Sequence, residues 1–172
     1  IIDDGSTMEN KVIFQSLKNK YKDNNKIIFM ENEKNKHIAF TLNRGIQYLL
    51  GNNSYTHFTW ISDDNVYYPI FLEQLYVPSI DFTYSWYDIL DTTENMNIKQ
   101  TTNRTNIESF ESLLKGYNGC ASFMWTKDAI HKIGLFNETV PCCEDYEYML
   151  RTFKELSINK INFSKSKTSK AT

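Results

Sequence analysis

Apolar and polar stretches alternate along the first third of the chain in a pattern that predicts strands and helices in turn. Three short stretches rich in apolar, aromatic or β-branched residues are predicted strands, and they cover residues 1–2, 26–30 and 55–61. Between them lie two stretches with the spacing of amphipathic helices, one after Ser6 and one from Ile38 to Leu50. This order predicts the α/β class, with a largely parallel sheet flanked by helices.

The two helical stretches have predicted boundaries and apolar faces. Ser6 and Glu9 have the S-x-x-E spacing of a capping box, so the first helix is predicted to begin there. Gly51 is predicted to end the second helix. The side chains predicted to face the core are Val12, Ile13, Leu17 and Tyr21 in the first helix, and Leu42, Ile46 and Leu49 in the second.

The rest of the chain continues the alternation. Strands are predicted over residues 81–90, 120–125 and 158–163, and helices over residues 69–77, 107–115, 127–133 and 144–156. The last helix is predicted to pack through Tyr148, Met149 and Phe153. Polar residues 91–106 predict an exposed loop. The Ser/Lys/Thr mixture from Ser164 predicts a disordered tail over residues 164–172, after a single domain over residues 1–163.

Length and composition narrow the class of protein. A chain of 172 residues with 41% hydrophobic residues and a net charge of −2 is typical of one globular domain, and this charge does not favour a nucleic-acid partner. No apolar run reaches the length of a membrane span. The three cysteines show no spacing typical of a zinc site or a disulfide framework. We therefore expect a cytoplasmic setting, with any membrane association made through parts outside this chain.

Pairs of adjacent acidic residues mark three predicted junctions between elements. They are Asp3 and Asp4 after the first strand, Asp63 and Asp64 after the third, and Glu144 and Asp145 at the start of the last long helix. Open α/β sheets bind ligands beyond the carboxyl ends of their strands, and oxygen ligands suit Mg²⁺ or Mn²⁺. Two simpler explanations stay open, because Asp and Asn favour turns and acids favour helix N-termini.

Residues 2–6 superficially resemble the DxDGT nucleophile motif of haloacid-dehalogenase-type phosphatases. That motif requires an aspartate two positions before the aspartate that precedes the glycine. In this chain the corresponding position is Ile2, whose side chain cannot act as a nucleophile. The phosphatase hypothesis is therefore set aside.

Four segments, taken in chain order, resemble motifs of glycosyltransferase family 2, whose members have the Rossmann-like GT-A fold. Residues 1–7 (IIDDGST) are similar to the VDDGST nucleotide motif, and residues 35–45 (NKHIAFTLNRG) to NxGxxxAxNxG. Residues 60–65 (WISDDN), with the following Pro69, Leu72 and Glu73, resemble the DADD…P…LE metal region. Residues 134–151, which contain GLFNE, EDYE and a final arginine, resemble GxFDE…EDxDLxxR. The resemblance covers the chain from its start to about residue 153.

The resemblance implies a transferase, of hexosyltransferase type, that moves a sugar from a nucleotide-diphospho-sugar, expected to be UDP-linked, with inversion at the anomeric carbon. Asp145 would be the general base, and the acceptor would be a carbohydrate, lipid or protein hydroxyl. The other implied roles are nucleotide-sugar binding by Asp3, Asp4, Asn43 and Asp63, binding of Mn²⁺ or Mg²⁺ by Asp63 and Asn65, and support by Asp64, Glu144 and Arg151. Trp86, near a predicted loop, is a candidate for stacking on a sugar, whereas Trp60 and Trp125 are expected in the core.

Three departures from the family pattern bear on the interpretation. Ile61 stands where the first acid of DADD is expected, and His37, expected to be a solvated loop histidine, where a glycine is expected. The first strand of the nucleotide-binding half is also absent from this chain, and we expect it to precede Ile1. Two alternatives therefore stay open: a non-catalytic sugar- or nucleotide-binding domain that kept the fold, and a nucleotidyltransferase.

Overall fold

The structure, a computed structural model, describes residues 1–91, 97–101, 107, 109–116, 121–140 and 142–171. The chain divides into two compact units, Ile1–Gly51 and Asn52–Thr172. Each unit has its own strands and helices, and the single domain predicted over residues 1–163 stays a prediction. Within the described residues, no helix combines the length and the apolar character that crossing a membrane requires.

The first unit is a strand–helix–strand–helix segment, as the sequence pattern predicts. Its elements are β1 (Ile2–Asp3), α1 (Met8–Lys20), β2 (Met30–Glu31) and α2 (Ile38–Leu50). β1 and β2 run parallel, with Ile2 opposite Met30 and Asp3 opposite Glu31. The bounds of α2 are those predicted, and its Ile46 is buried.

The start and the buried face of α1 differ from the prediction. Thr7 is the residue before the helix and makes no side-chain cap, so the predicted Ser6–Glu9 capping box does not form. Phe14 is the buried residue of this helix and packs edge-to-face on Phe29, with ring centroids 5.5 Å apart. The predicted face is largely exposed, at 69% for Val12, 62% for Ile13 and 38% for Leu17.

Polar contacts one turn from Phe14 fix this orientation of α1. Lys18 Nζ and Gln15 Nε2 donate to Glu31 Oε1 at 3.2 and 3.0 Å. Phe14 and Lys18 are four residues apart and so share a helix face. The aromatic pair and these bonds turn that face toward β2 and leave the aliphatic side chains outside.

The second unit is built on a mixed sheet with short helices. Its elements are β3 (His57–Phe58), β4 (Val66–Tyr67), α3 (Phe71–Leu75), β5 (Phe82–Asp91), β6 (Asn97–Thr101), α4 (Phe110–Leu114), β7 (Phe123–Thr126), α5 (Lys127–Ile133), α6 (Glu144–Glu155), a 3₁₀ turn (Ile158–Lys160) and β8 (Ile161–Ala171). The strand order is β3-β7-β5-β8-β4, and β6 pairs with β5.

The α/β class is confirmed, but the strand directions are more varied than expected. In this sheet β5 and β8 run parallel, whereas β3–β7, β4–β8, β5–β6 and β5–β7 are antiparallel. The sheet is therefore mixed rather than largely parallel. The strand predicted over residues 55–61 is only two residues long and lies at the sheet edge, and beyond it the Trp60 carbonyl accepts the Tyr67 hydroxyl rather than a ladder N–H.

The prediction of a disordered tail from Ser164 is wrong for the described residues, since β8 continues to Ala171 beside β5. Thr168 and Ser169 are fully buried despite their polarity. Thr168 Oγ1 lies 2.6 Å from Ser85 Oγ, and Ser169 Oγ donates to the Ala121 carbonyl at 3.1 Å. These partners satisfy the hydroxyl groups inside the sheet, which composition alone does not reveal.

The helices next to the sheet follow the sequence pattern closely. α5 has the predicted bounds, and Gly134 ends it with a φ of +85°. Tyr148, Met149 and Phe153 of α6 are buried as predicted. α3 and α4 are each shorter than predicted, at five residues.

Candidate active site

Asp3 lies at the end of β1, where the chain turns toward α1. Its side chain is buried, with 7% of the residue exposed. The Asp3 carbonyl accepts the Asn32 N–H at 2.8 Å, and both carboxylate oxygens lie 3.4 Å from the Ser6 nitrogen. The carboxylate is therefore turned toward its own loop, which fixes its position.

Asp4 belongs to a hydrogen-bond network that joins this turn to β2 and α2. Its Oδ1 accepts the Asn32 side-chain amide at 2.7 Å and the Lys36 N–H at 2.9 Å. Asn32 Oδ1 in turn accepts Arg44 Nη1 at 2.6 Å. Partial burial opposes the charge on Asp4, but the hydrogen bonds from Asn32 and Lys36 outweigh it and lower the pKa of the carboxyl. Asp4 is therefore held as a carboxylate that braces the turn.

Gly5 lies in the tight turn between β1 and α1, in the left-handed backbone region. Its φ is +71°, and a Cβ added there would stand 2.3 Å from the Asn35 nitrogen. The loop backbone at residues 34–35 therefore approaches the turn so closely that a side chain has no room.

Replacing Gly5 with alanine is expected to lower the free energy of unfolding by about 2–4 kcal/mol, because the left-handed conformation and the backbone clash both oppose a Cβ. Urea denaturation measures this change. Gly51→Ala is the matched control in the same unit, since Gly51 has a φ of −68° and its added Cβ meets only ordinary contacts at 3.5 Å. Equal stability of both variants would contradict the close approach at Gly5.

The segment similar to NxGxxxAxNxG forms the start and middle of α2. His37 is exposed, as expected, and has a φ of 70°, which a glycine adopts at lower cost. The departure from the family pattern at this residue therefore keeps the backbone conformation. Asn43 is only 3% exposed. It would therefore contribute to a nucleotide site by positioning neighbouring residues rather than by touching the nucleotide.

Asp63 and Asp64 form the tip of an exposed turn that connects β3 to β4. The Asn65 N–H donates to the Ser62 carbonyl at 3.2 Å and closes the turn. Both carboxylates are exposed, and Asn65 is half-buried. The apolar Ile61, which stands where the family motif has an acid, is 46% exposed.

Tyr67 braces the segment between β3 and this turn. Its hydroxyl donates to the Trp60 carbonyl at 2.5 Å and lies 3.0 Å from Thr59 Oγ1. Its ring stacks on Phe71 of α3, with centroids 3.5 Å apart. The acidic turn therefore projects from a fixed base.

The oxygen donors of the acidic turn match the chemistry of a hard divalent cation. Among the described residues, no group of three or more His, Cys, Asp or Glu side chains is placed to hold a metal ion. Mg²⁺ usually keeps several waters and is bound through one or two carboxylates plus substrate phosphates. Asp63 and Asn65 fit such a site, which a nucleotide diphosphate would complete.

Glu144 and Asp145 open α6, and both are half-buried. Asp145 Oδ1 accepts the Tyr146 N–H at 2.7 Å. The preceding residue, Cys143, has a φ of 60° and makes no side-chain cap. Acidic side chains in the first turn of a helix interact favourably with the helix dipole. Glu144 and Asp145 therefore stabilise α6 whether or not they take part in catalysis.

One aromatic cluster supports both the strand before the acidic turn and the helix that carries Asp145. Trp60 stacks on Trp125 at 5.3 Å and contacts Phe136 at 5.1 Å, and Phe136 stacks on Tyr148 at 4.0 Å. Trp60 is three residues before Asp63, and Tyr148 is three residues after Asp145. The expectation of core packing is confirmed for Trp125, which is buried, whereas Trp60 is half-buried against it. This cluster ties two of the predicted acidic pairs to one rigid support.

Arg151 joins α5 to α6. Its Nε and Nη2 donate to the two carboxylate oxygens of Glu147 at 2.6 and 2.8 Å, and its Nη1 donates to the Ile133 carbonyl at 2.7 Å. Its guanidinium also lies over the Tyr148 ring. All of these contacts are within or between α5 and α6, so Arg151 holds the two helices together. Its predicted support of the acceptor side would therefore be indirect, through the position of α6.

Trp86 lies on β5 and is half-buried. Its ring meets Phe163 edge-on at 6.1 Å, and its backbone pairs with Lys167 of β8. The residue is therefore partly accessible but belongs to the sheet rather than to a loop. Its stacking on a sugar stays a prediction.

The sequence does not single out a buried ionic group on β5. Asp88 is 1% exposed and accepts the Tyr68 hydroxyl at 2.7 Å, and Lys167 Nζ lies 3.3 Å from its other oxygen. Burial and the Asp88 carboxylate raise the pKa of Tyr68 to about 12. An aspartate inside an aromatic-rich strand is the signal that could have indicated this group.

The comparison with known families matches residues 1–131 to the family described as Glycosyl transferase family 2. The matched segment includes both acidic turns and ends before Asp145. Two uncharacterised glycosyltransferases are similar in sequence, one from Rickettsia conorii (31% identical over 131 residues) and one from Rickettsia felis (32% over 138 residues). The matches cover 69% and 73% of this chain but only 21% of each relative.

Solved structures with low sequence identity share the fold. S. aureus TarS 1–349 superposes with a TM-score of 0.63 at 15% identity, over 99% of this chain and 50% of that one. The same protein in complex with UDP superposes with a TM-score of 0.64 at 13% identity, over 99% and 49%. The likeness extends beyond the family match and so includes α6.

Proposed function

The chain belongs to glycosyltransferase family 2, and from this premise we propose that it catalyses the transfer of a sugar from a UDP-sugar to an acceptor hydroxyl, with inversion at the anomeric carbon. The observation that carries the proposal is the aromatic cluster of Trp60, Trp125, Phe136 and Tyr148, which supports the acidic turn and the start of α6 together. The UDP complex of the structural neighbour supports the choice of nucleotide.

We assign the nucleoside role to residues of the first unit and the cation role to residues of the second. Asp3, braced by Asp4 and the Gly5 turn, would accept hydrogen bonds from the nucleoside. Asp63 and Asn65 would bind Mn²⁺ or Mg²⁺ on the diphosphate, and Asp64 would add negative charge beside them. When bound, the cation neutralises the charge that develops on the departing diphosphate. The exposed position of both carboxylates in the turn supports this assignment.

Asp145 would act as the general base in a single displacement. The acceptor oxygen forms a bond to the anomeric carbon while the bond from that carbon to the diphosphate oxygen breaks. The proton of the acceptor hydroxyl passes to the Asp145 carboxylate, and the electron pair of the broken bond leaves with UDP. One displacement inverts the configuration of the sugar. Glu144, which lies in the same first turn of α6, would support the acceptor side of the site.

A panel of UDP-sugars, each incubated with the protein, Mn²⁺ and a mixture of carbohydrate hydroxyl acceptors, tests this proposal. The expected result is that one UDP-sugar releases UDP much faster than the others. The glycosylated product should show an inverted anomeric configuration by NMR. Release of UDP from no donor, in a protein that binds UDP, would contradict the transferase proposal.

Binding without transfer is the second candidate function. It is favoured by Ile61, whose apolar and 46% exposed side chain stands where the family motif has an acid. Restoring that acid with Ile61→Asp separates the two candidates. Transfer that appears only in this variant would show that the natural chain binds the donor without turning it over.

A further inference from the structure

Two adjacent cysteines stand immediately before α6. Cys142 and Cys143 are both exposed free thiols, and the two thiols hydrogen-bond to each other. We propose that this pair is a dithiol–disulfide site, which a small-molecule disulfide such as oxidised glutathione converts to an intramolecular disulfide, and that closure disturbs the start of α6.

The chemistry balances without any group outside the proposal. One cysteine thiolate attacks a sulfur of the oxidant, which releases one reduced thiol and leaves a mixed disulfide on the protein. The neighbouring thiol loses its proton and attacks the protein sulfur of that mixed disulfide. A second reduced thiol leaves, so the two cysteines are oxidised by two electrons and the oxidant is reduced by the same two.

The adjacency of the two cysteines makes the disulfide easy to reduce again. Consecutive Cα atoms across a trans peptide are about 3.8 Å apart. Unstrained disulfides have Cα separations of about 4.4–6.8 Å, and strained ones have more oxidising potentials. The bond is therefore suited to reversible use and not to permanent stabilisation.

Closure of this ring would act on the first turn of α6. Cys143 has a φ of 60°, in the left-handed region, and its carbonyl accepts the Glu147 N–H at 3.0 Å. An eight-membered ring restricts the torsion angles of both cysteines, so Cys143 would leave this conformation and weaken that helical bond. Asp145 lies in the same turn and would move with it. A loss of sugar transfer through this movement rests on the proposed function of Asp145.

The groups around the two cysteines affect the pKa of the Cys143 thiol and therefore the rate of the first thiolate attack. The Cys143 S–H donates to the Cys142 sulfur, and this hydrogen bond, together with the nearby carboxylates of Asp145 and Glu144, raises the pKa of the Cys143 thiol. The thiolate is the attacking species, so oxidation is expected to be faster at alkaline pH.

Peptide mass spectrometry tests the site directly. Trypsin cuts after Lys132 and Arg151, with no Lys or Arg between them, so one peptide over residues 133–151 contains both cysteines and excludes Cys120. After treatment with oxidised glutathione, this peptide is expected to be lighter by two hydrogen atoms and to resist alkylation. Cys120→Ser should behave identically, whereas Cys142→Ser and Cys143→Ser should each carry one glutathione. A wild-type peptide that stays reduced or carries only glutathione would overturn the proposal.

Hydrogen exchange and turnover then test the effect on α6. In the oxidised protein, the Glu147 amide is expected to exchange at least tenfold faster, and sugar transfer to fall at least tenfold and recover with dithiothreitol. Unchanged exchange in the closed form would overturn the coupling to α6. If the reduced protein transfers no sugar, the proposed function fails, but the peptide mass and the amide exchange still decide the disulfide proposal.

Discussion

Replacing Asp145 with asparagine is expected to lower the rate of sugar transfer by about a thousandfold, within the range that a positioned general base contributes. The reason is that an amide cannot take the proton from the acceptor hydroxyl. The asparagine side chain keeps an oxygen that can accept the Tyr146 N–H, which Asp145 Oδ1 accepts at 2.7 Å, so the start of α6 should stay intact. The affinity for UDP, measured by calorimetry, should not change.

A matched variant separates the loss of the general base from the loss of an acidic side chain in the first turn of a helix. Asp128 lies in the first turn of α5 and is exposed, and it has no proposed catalytic role. Asp128→Asn removes a carboxylate from an equivalent helical position and should leave transfer unchanged. Transfer at the wild-type rate in Asp145→Asn would remove Asp145 from the mechanism and leave only its interaction with the helix dipole.

Replacing Asp63 with asparagine is expected to weaken UDP binding in the presence of Mn²⁺ by at least about tenfold, because even the outer partners of metal ligands change metal affinity by about 10–100-fold. The substitution keeps the size of the side chain and removes its charge. Affinity measured without Mn²⁺ should be nearly equal in the variant and the wild type, since the lost interaction passes through the cation.

The neighbouring carboxylate provides the comparison for Asp63. Asp64 occupies the same exposed turn, and Asp64→Asn should have the smaller effect if Asp63 and Asn65 supply the ligands. A stronger loss in Asp64→Asn would transfer the ligand role to Asp64. Equal affinity in all three proteins would place the cation outside this turn.

The helices were the most predictable part of the fold. α2 and α5 have the predicted bounds, and the buried residues of α6 match its apolar spacing. Local signals were sufficient in these cases, because the apolar face, the end signals and the length all agreed. α1 differs because its orientation depends on contacts with residues far along the chain, such as the Phe29 ring, fifteen residues after Phe14, and the Glu31 carboxylate.

The strands required information that local sequence does not contain. The aromatic stretch before Asp63 is predicted to be a strand over residues 55–61, but β3 is only two residues long and Trp60, beyond its end, stacks on Trp125. The polar residues from Ser164 were predicted to be disordered, but Thr168 finds Ser85 as a buried partner. Both outcomes depend on contacts between distant segments, which periodicity cannot show.

The candidate site was predictable where backbone conformation demands a residue type. The turn at Gly5 is an example, because its φ of +71° favours a glycine. By contrast, Asp88 and Arg151 owe their positions to partners on other elements. Arg151 matched a family motif as support for the acceptor side, but its contacts with Glu147 and Ile133 show what it holds. The positions of these two charged side chains can be predicted only when the residues that they contact on other elements are known.

Calorimetric titration of UDP into the protein, with and without Mn²⁺, tests the central claim most directly. The claim predicts binding that strengthens at least tenfold when Mn²⁺ is present, and a loss of that gain in Asp63→Asn. Absence of UDP binding under both conditions would contradict the assignment of a UDP-sugar donor site, while the family membership and the fold would stand.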